Sequence, residues 1–173
     1  IYKKYNGKDT TWTASMIARL YKELKQRFRF QGQIGVKVDD GGVGGGVVDQ
    51  LRNWKRSDPE VFEDMAVLAV NFGVPIKHRH YADSTTYMMG VVRDLIAPYD
   101  DFGRPHVPEV ILPDDSDLIG QLSCRKFEFG SNAKQKVESK QDMKDRGLSS
   151  PDEGDCILLV CLPMNYKKKG SKG

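Results

Sequence analysis

Two groups of aspartates in this sequence have the setting that metal-ion chemistry needs. Asp39 and Asp40 follow a short apolar segment and precede the glycine-rich stretch 41–46, and Asp152 and Asp155 open an apolar segment near the end of the chain. Carboxylate oxygens are the ligands that Mg²⁺ and Mn²⁺ prefer. Two-metal cleavage of a phosphodiester needs several carboxylates around cations about 3.5–4 Å apart. The two groups therefore predict a divalent-metal site if the fold brings them together, which their spacing alone does not show.

The glycine-rich stretch has three interpretations. A phosphate-binding P-loop requires the pattern GxxxxGKS/T, and no Lys-Ser or Lys-Thr follows these glycines. A dinucleotide fingerprint, GxGxxG, is satisfied by Gly42 and Gly44 but not at Val47, and the two preceding acids would repel a pyrophosphate. In the third, Asp39 ends a strand at the carboxyl edge of a sheet, where α/β sites form, and the glycines turn the chain into a helix. We favour the third for Asp39; for Asp40, capping of the turn or helix is an equal alternative.

The second acidic group lies where a helix is expected to begin. Asp152 and Asp155 are three residues apart, so both carboxylates can point the same way. Compensation of the helix dipole explains Asp152 and Glu153. It explains Asp155 less well, because Asp155 borders the apolar face that begins at Cys156. An acid at the edge of a buried face needs a partner, and a metal ion would serve.

The elements around these residues alternate between helix and strand. Residues 9–11 offer N-cap side chains for a helix that runs to about Arg27, with Trp12, Met16, Leu20 and Leu24 at near-helical spacing. We predict strands at 33–38 and 66–70, helices at 47–54, 84–96, 116–124 and 140–146, a hairpin of 125–129 with 135–138, and a final helix capped by Ser150 with Pro151 in its first position. This pattern predicts one α/β domain with a mixed sheet flanked by helices over residues 1–165, followed by a disordered basic tail at 166–173.

Length and composition fit a globular domain of this kind. The chain has 173 residues, of which 39% are hydrophobic and 29% charged, so a core can form without disulfides. The three cysteines lie in apolar surroundings and are expected to be buried thiols in a reducing cytosol. No apolar run approaches the roughly 20 residues that cross a bilayer, and no secretory signal is visible. Because the first residue is Ile1, we expect that sequence upstream is missing.

Three segments, in this order, resemble the nuclease domain of phage large terminase subunits. They are VKVDDGGVGGGVVDQL at 36–51, VESKQDMK at 137–144 and SPDEGD at 150–155. The resemblance implies an RNase H-like fold with Mg²⁺ or Mn²⁺ held by acids on the first strand, the fourth strand and the last helix. Asp39 corresponds to the fourth-strand acid and Asp155 to the last-helix acid, with Asp152 assisting. The first-strand acid has no counterpart, because the sequence begins near the second strand.

The resemblance implies an endonuclease that cuts concatemeric double-stranded DNA during viral genome packaging in the host cytoplasm. Its partners would be DNA, an ATPase domain, the portal and the small terminase subunit. The missing first-strand acid favours an alternative, in which the chain is an incomplete fragment or remnant that binds DNA or packaging partners without cutting. A nucleotide-binding Rossmann domain is a weaker third interpretation.

A basic group around the predicted hairpin and the helix after it is the candidate DNA contact. Its members are Lys134, Lys136, Lys140, Lys144 and Arg146. Contacts to phosphates would make affinity depend on salt. An ordinary solvated face is the alternative, because Glu138, Asp142 and Asp145 are interleaved. Lys140 is the best single candidate, since it lies within a terminase-like segment. We interpret the basic segment 77–80 as a solvent-facing loop.

Overall fold

The computed structural model describes residues 4–5, 7–130 and 133–166. The chain divides into two compact units, Ile1–Asn71 and Phe72–Gly173, and each is described by itself. The tail predicted at 166–173 lies, apart from Tyr166, outside the described residues, and the Tyr166 ring stacks on Tyr87 with 5.8 Å between centroids. Within the described part, no helix is both long and apolar enough to span a bilayer.

The N-terminal unit combines three helices with a parallel strand pair. Its elements are α1 (Thr10–Phe28), β1 (Ile34–Asp39), α2 (Gly44–Ser57), α3 (Pro59–Phe62) and β2 (Met65–Val70). Of the cap candidates predicted at 9–11, Asp9 caps helix α1, and its carboxylate accepts the Trp12 N–H at 2.6 Å. Strands β1 and β2 pair in parallel register from Ile34 opposite Met65 to Asp39 opposite Val70. The carboxyl ends of both strands therefore lie at one edge.

The core of the N-terminal unit corrects the predicted face of α1. Its buried members are Ala14, Ala18, Tyr21, Val47, Leu51, Phe62 and Met65. The buried face of α1 is thus Ala14, Ala18 and Tyr21, and not the row of larger apolar side chains from Trp12 to Leu24. Small alanine side chains let the α1 backbone approach α2 closely, and spacing of large apolar residues does not reveal that approach. The partly buried Trp54 packs against this cluster.

The described residues of the C-terminal unit form four helices and a hairpin. They are α4 (Ser84–Ile96), α5 (Ser116–Ser123), β3 (Phe127–Phe129), β4 (Gln135–Val137), α6 (Lys140–Asp145) and α7 (Asp152–Cys161). Helix α4 has the predicted bounds, and β3 pairs antiparallel with β4. Parallel and antiparallel pairing are thus both present among the described residues, in separate two-stranded sheets.

Helix α7 packs against α4 and α5, and it is amphipathic. Its inward side carries Asp155 and Leu158, whereas Cys156 and Val160 are exposed. The prediction that all three cysteines are buried is therefore wrong. The buried face of α7 is formed by Gly154, Asp155 and Leu158. Cys156 lies off this face, so its thiol points away from the packed side of the helix.

Candidate functional site

The carboxylate of Asp39 is held at the end of β1 by the turn that follows it. The Gly41 N–H donates to Asp39 Oδ1 at 2.9 Å, and the Asp40 N–H donates to the Val70 carbonyl at 2.6 Å. Strand pairing therefore continues one step beyond Asp39, and the half-buried Asp39 side chain stands at the carboxyl edge of the parallel pair. This is the position predicted from the sequence.

Two glycines make this turn possible. Gly42 has φ of +67°, a conformation that favours glycine. A Cβ on Gly44 would lie 1.7 Å from the carbonyl oxygen of Asp39, so only glycine allows α2 to start this close to the end of β1. The N-cap residue of α2 is Val43, whose side chain makes no capping hydrogen bond, and capping by Asp40 of the turn or of the helix stays a prediction. The Asp40 main chain extends the strand pairing.

Asp155 is a buried carboxylate between two cationic side chains. It is 7% exposed. The Arg125 Nη2 group donates to Asp155 Oδ1 at 3.1 Å, and the Lys140 ammonium lies 2.6 Å from Oδ2. Oδ2 receives no well-directed hydrogen bond within the described part of the chain. The partner that Asp155 was expected to need is thus supplied by the protein itself.

Arg125 is the residue of this site that the sequence did not reveal. It follows α5 directly and precedes β3, and its side chain is 3% exposed. A single arginine between a helix and a hairpin is an ordinary pattern, and nothing in its spacing points to α7, 30 residues further along the chain. A buried arginine does need an acidic partner, but the sequence does not say which of the chain's acids provides it.

Asp152 has a different environment from Asp155. It is exposed, and its carboxylate accepts the Ser150 hydroxyl. The predicted cap at Ser150 is wrong, because α7 begins one residue later than expected, after Pro151. The first N–H groups of α7 are satisfied by Gln121 on α5, whose Oε1 accepts from Glu153 at 2.9 Å and from Gly154 at 3.0 Å. A side chain from another helix replaced the local cap.

The described residues contain no ready-made cluster of metal ligands. Among them, no group of three or more His, Cys, Asp or Glu side chains is gathered closely enough to hold an ion. Asp39 belongs to the N-terminal unit and Asp155 to the C-terminal unit. Their common use of one cation stays a prediction.

The five basic candidates differ in how far their charges are engaged. Lys136 on β4 and Lys144 in the last turn of α6 are exposed, whereas Lys134 is half-buried. Lys140, at the start of α6, is paired with Asp155. The Arg146 guanidinium is held by Glu138, with Nε 3.0 Å from Oε2, and by the Cys124 carbonyl at 3.0 Å. Arg146 therefore has a structural role whether or not it meets DNA.

The interleaved acids are satisfied by neighbours in the chain. The Arg146 guanidinium holds the pKa of Glu138 below its usual range, and hydrogen bonds from Ser139 lower the pKa of Asp142. Ser139 and Asp142 form a capping box at the start of α6, and Asp145 accepts from the Gln141 amide at 2.7 Å. Since each acid has a local partner, the positive charges of Lys136 and Lys144 are left to face solvent.

The basic loop at 77–80 was predicted to face solvent, but one of its four residues is half-buried. His78 is half-buried, and its ring stacks on Tyr81 with 4.8 Å between centroids. Its Nδ1 accepts the His80 N–H at 3.2 Å and the Tyr81 N–H at 3.3 Å. Burial is the main cause that lowers the pKa of His78, and the nearby positive charges of His80 and Lys134 add to it. The other three members of the loop are exposed.

No family model and no curated protein matches this chain. Solved structures do. The nuclease domain of the large terminase subunit gp2 of bacterial virus Sf6 superposes with a TM-score of 0.55 at 17% identity, over 87% of this chain and 72% of that one. A lysine-to-alanine variant of that domain with manganese has a TM-score of 0.56 at 16% identity, over 87% and 72%. The variant with calcium has 0.56 at 16%, over 87% and 71%. The chain therefore has this RNase H-like fold, and the predicted fold class is confirmed.

Proposed function

We propose that this chain is a divalent-metal-dependent endonuclease domain of a viral DNA-packaging terminase, which cuts concatemeric double-stranded DNA. One observation carries the proposal. On a fold shared with a terminase nuclease domain, Asp39 stands at the carboxyl edge of the parallel strands, held there by the Gly41 N–H. That edge is where α/β sheets place their ligands. The terminase-like segments at 137–144 and 150–155 add independent support.

In this proposal Asp39 and Asp155 hold Mg²⁺ or Mn²⁺, with Asp152 as a secondary ligand. Asp155 fits the task because Oδ2 is a buried carboxylate oxygen that faces a cation and takes no well-directed hydrogen bond in the described residues. A bound divalent cation would supply Lewis-acid chemistry that stabilises charge on the attacking and leaving oxygens of the phosphodiester. The exposed Asp152 carboxylate would orient a water molecule at the solvent-facing edge of the metal site.

Lys140 must give up its ion pair when Asp155 takes a divalent cation at Oδ2. Its side chain is 48% exposed, so water can solvate the ammonium once it leaves, and Asp155 keeps Arg125 as a partner. A lysine released from Asp155 would be free to contact a DNA phosphate. Metal loading and DNA contact would then be coupled through one side chain.

The DNA contacts are proposed to be Lys134, Lys136, Lys140, Lys144 and Arg146. Lys136 and Lys144 would meet phosphates directly, and Arg146 would add charge while it joins the hairpin to the end of α6. Contacts of this kind position a protein on DNA but read no sequence, so little base specificity is expected. In a full-length terminase the partners would be an ATPase domain, the portal and the small subunit, in the host cytoplasm.

Plasmid nicking tests the proposal. Supercoiled DNA is incubated with the chain and Mn²⁺ or Mg²⁺, and with excess EDTA as the metal-free arm. Asp39→Asn and Asp155→Asn are expected to lose detectable cleavage. The exposed α2 residue variant Asp49→Asn, which makes the same chemical change away from the site, should cleave as the parent does. Cleavage that is unchanged in both site variants would contradict the assignment.

A second candidate is DNA binding without cleavage. The observation that favours it is the pairing of Asp155 with Arg125 and Lys140, which balances the carboxylate without any metal ion. Under this alternative the parent chain binds duplex DNA with a strong salt dependence but does not nick it with Mn²⁺ at any concentration. Nicking by the parent that is lost in Asp39→Asn excludes this alternative.

A further inference from the structure

We propose that Arg125 is a positioning residue that fixes Asp155 so that only its Oδ2 oxygen is presented to a divalent cation. The inference rests on the proposed function. Arg125 donates through Nη2 to Oδ1 at 3.1 Å, and its side chain is 3% exposed against 10% for the Asp155 side chain. One oxygen of the carboxylate is therefore occupied from inside the protein. The oxygen that remains for a metal ion would be Oδ2.

Burial makes this pair different from an ordinary surface ion pair. Removing a guanidinium and a carboxylate from water is costly, and the cost is offset only when the two charges stay together. Within the described residues the Arg125 Nε has no hydrogen-bond partner, so Nη2 is the group that anchors the side chain. Loss of the contact would separate the buried Arg125 charge from this carboxylate and leave Asp155 with the half-exposed Lys140. The carboxylate is thus held in one orientation before any metal arrives.

The main chain on both sides of Arg125 is itself clamped. The carbonyl of Cys124, the preceding residue, accepts from Arg146 Nη2 at 3.0 Å. The N–H of Lys126, the following residue, donates to Glu138 Oε1 at 2.8 Å. Glu138 and Arg146 are paired with each other, so one ion pair fixes the backbone at both neighbours. A side chain that projects from such a fixed segment can hold Asp155 in a fixed place.

The two cations on Asp155 are not equivalent. Lys140 reaches Oδ2 from the start of α6 with a side chain that is 48% exposed, so solvent can replace it. Arg125 has no such access. The arrangement therefore assigns Oδ1 to a permanent internal partner and Oδ2 to an exchangeable one.

Manganese affinity of the folded protein tests the inference without relying on cleavage. The Mn²⁺ dissociation constant is measured by calorimetry and by the loss of the free-Mn²⁺ EPR signal, for the parent, Arg125→Gln and Arg125→Lys. Loss of a side chain that orients a metal ligand weakens metal binding about 10–100-fold, and Arg125→Gln is expected in that range. Arg125→Lys keeps the charge but not the planar donor group, so it should fall between Arg125→Gln and the parent.

Arg104→Gln is the matched control, because Arg104 is an exposed arginine that pairs with Asp100 in the same unit. It should bind Mn²⁺ as the parent does. Parent-like Mn²⁺ affinity in folded Arg125→Gln would overturn the inference. If Arg125→Gln does not fold, as judged by circular dichroism, Arg125→Lys decides: weaker Mn²⁺ binding supports the inference, and parent-like binding overturns it.

Asp155→Asn distinguishes failure of the proposed metal site from failure of the proposed role of Arg125. If this substitution leaves Mn²⁺ affinity unchanged, Asp155 is not a ligand and the proposed metal site fails with it. If Asp155→Asn abolishes Mn²⁺ binding while both Arg125 variants bind normally, only the positioning role of Arg125 is wrong.

Discussion

At the scale of single residues, Asp155 shows what the sequence reveals and what it does not. Its position beside an apolar face indicated that it needed a partner, and the structure places it in the buried contact that this argument required. The identity of the partner was not predictable, because Arg125 is 30 residues away and reaches Asp155 only through the packing of the C-terminal unit. Asp39 was easier to place, since its strand and turn are encoded within ten neighbouring residues.

Lys140 competes with a divalent cation for Asp155 Oδ2, so its removal should tighten metal binding. We expect Lys140→Ala to lower the Mn²⁺ dissociation constant by up to about fivefold, the value that corresponds to an ion pair worth about 1 kcal/mol. Calorimetric titration measures this directly. Lys144→Ala, a change of an exposed lysine in the last turn of the same helix, should leave Mn²⁺ affinity unchanged. Weaker Mn²⁺ binding in Lys140→Ala would mean that the lysine helps to hold the ion.

His78 should make thermal stability depend on pH. Burial lowers its pKa, and its Nδ1 accepts two backbone N–H groups, so folding favours the neutral ring. This stabilisation is complete above the ordinary histidine pKa of about 6.5 and is lost as pH falls below that value. The melting temperature should therefore drop between pH 7 and pH 5. In His78→Asn, whose amide oxygen still accepts an N–H, that pH dependence should shrink. An equal drop in both proteins would show that His78 is not responsible.

At the scale of elements, the predicted helices and strands are largely those observed, because local signals specify them. Asp9 and Asp83 cap α1 and α4, and apolar spacing marks α4 to its last residue. The predictions that were wrong concern features that depend on a segment distant in the sequence. The buried face of α1 depends on how closely α2 approaches, and the start of α7 depends on Gln121. Neither neighbour is visible in the local sequence.

The two possible caps of α7 can be separated by substitution. Gln121→Ala removes the acceptor for two N–H groups and a donor to Glu153, and should lower the free energy of unfolding by about 1 kcal/mol, as the loss of a helix cap usually does. Ser150→Ala should change it by a few tenths at most, since the Ser150 hydroxyl donates to Asp152 and accepts no N–H of the helix. Urea denaturation measures both. A larger loss of unfolding free energy in Ser150→Ala than in Gln121→Ala would indicate that Ser150 caps the helix, as predicted from the sequence.

At the scale of the whole molecule, the order of elements was predictable, but their grouping was not. The alternation of helices and strands predicted one domain over residues 1–165, and this stays a prediction. The chain divides into two compact units after Asn71, just past the end of β2, where the sequence has no proline-rich or charged linker. The RNase H-like fold was reached from three short segments together, and the likeness to a terminase nuclease domain at 16–17% identity confirms the fold alone.

DNA affinity should reveal the basic hairpin and α6 as an electrostatic surface. Each of Lys136→Ala and Lys144→Ala is expected to weaken duplex binding to a similar degree for unrelated sequences and to reduce the slope of log affinity against log salt by about 1. Arg52→Ala, an exposed cation on α2, is the control for loss of one positive charge. Fluorescence anisotropy over a salt series measures the slopes. Equal effects of all three substitutions would indicate that only net charge matters.

The central claim, that Asp39 and Asp155 serve one metal centre, is tested most directly by cleavage of the protein itself. Fe²⁺ is loaded in place of Mg²⁺, and ascorbate with peroxide then cuts the polypeptide beside the bound ion. We predict two clusters of cuts, one near residue 39 and one near residue 155, and both should disappear with excess Mn²⁺ and in Asp39→Asn. Cuts confined to one of the two segments, or cuts near 155 that persist in Asp39→Asn, would contradict the shared site.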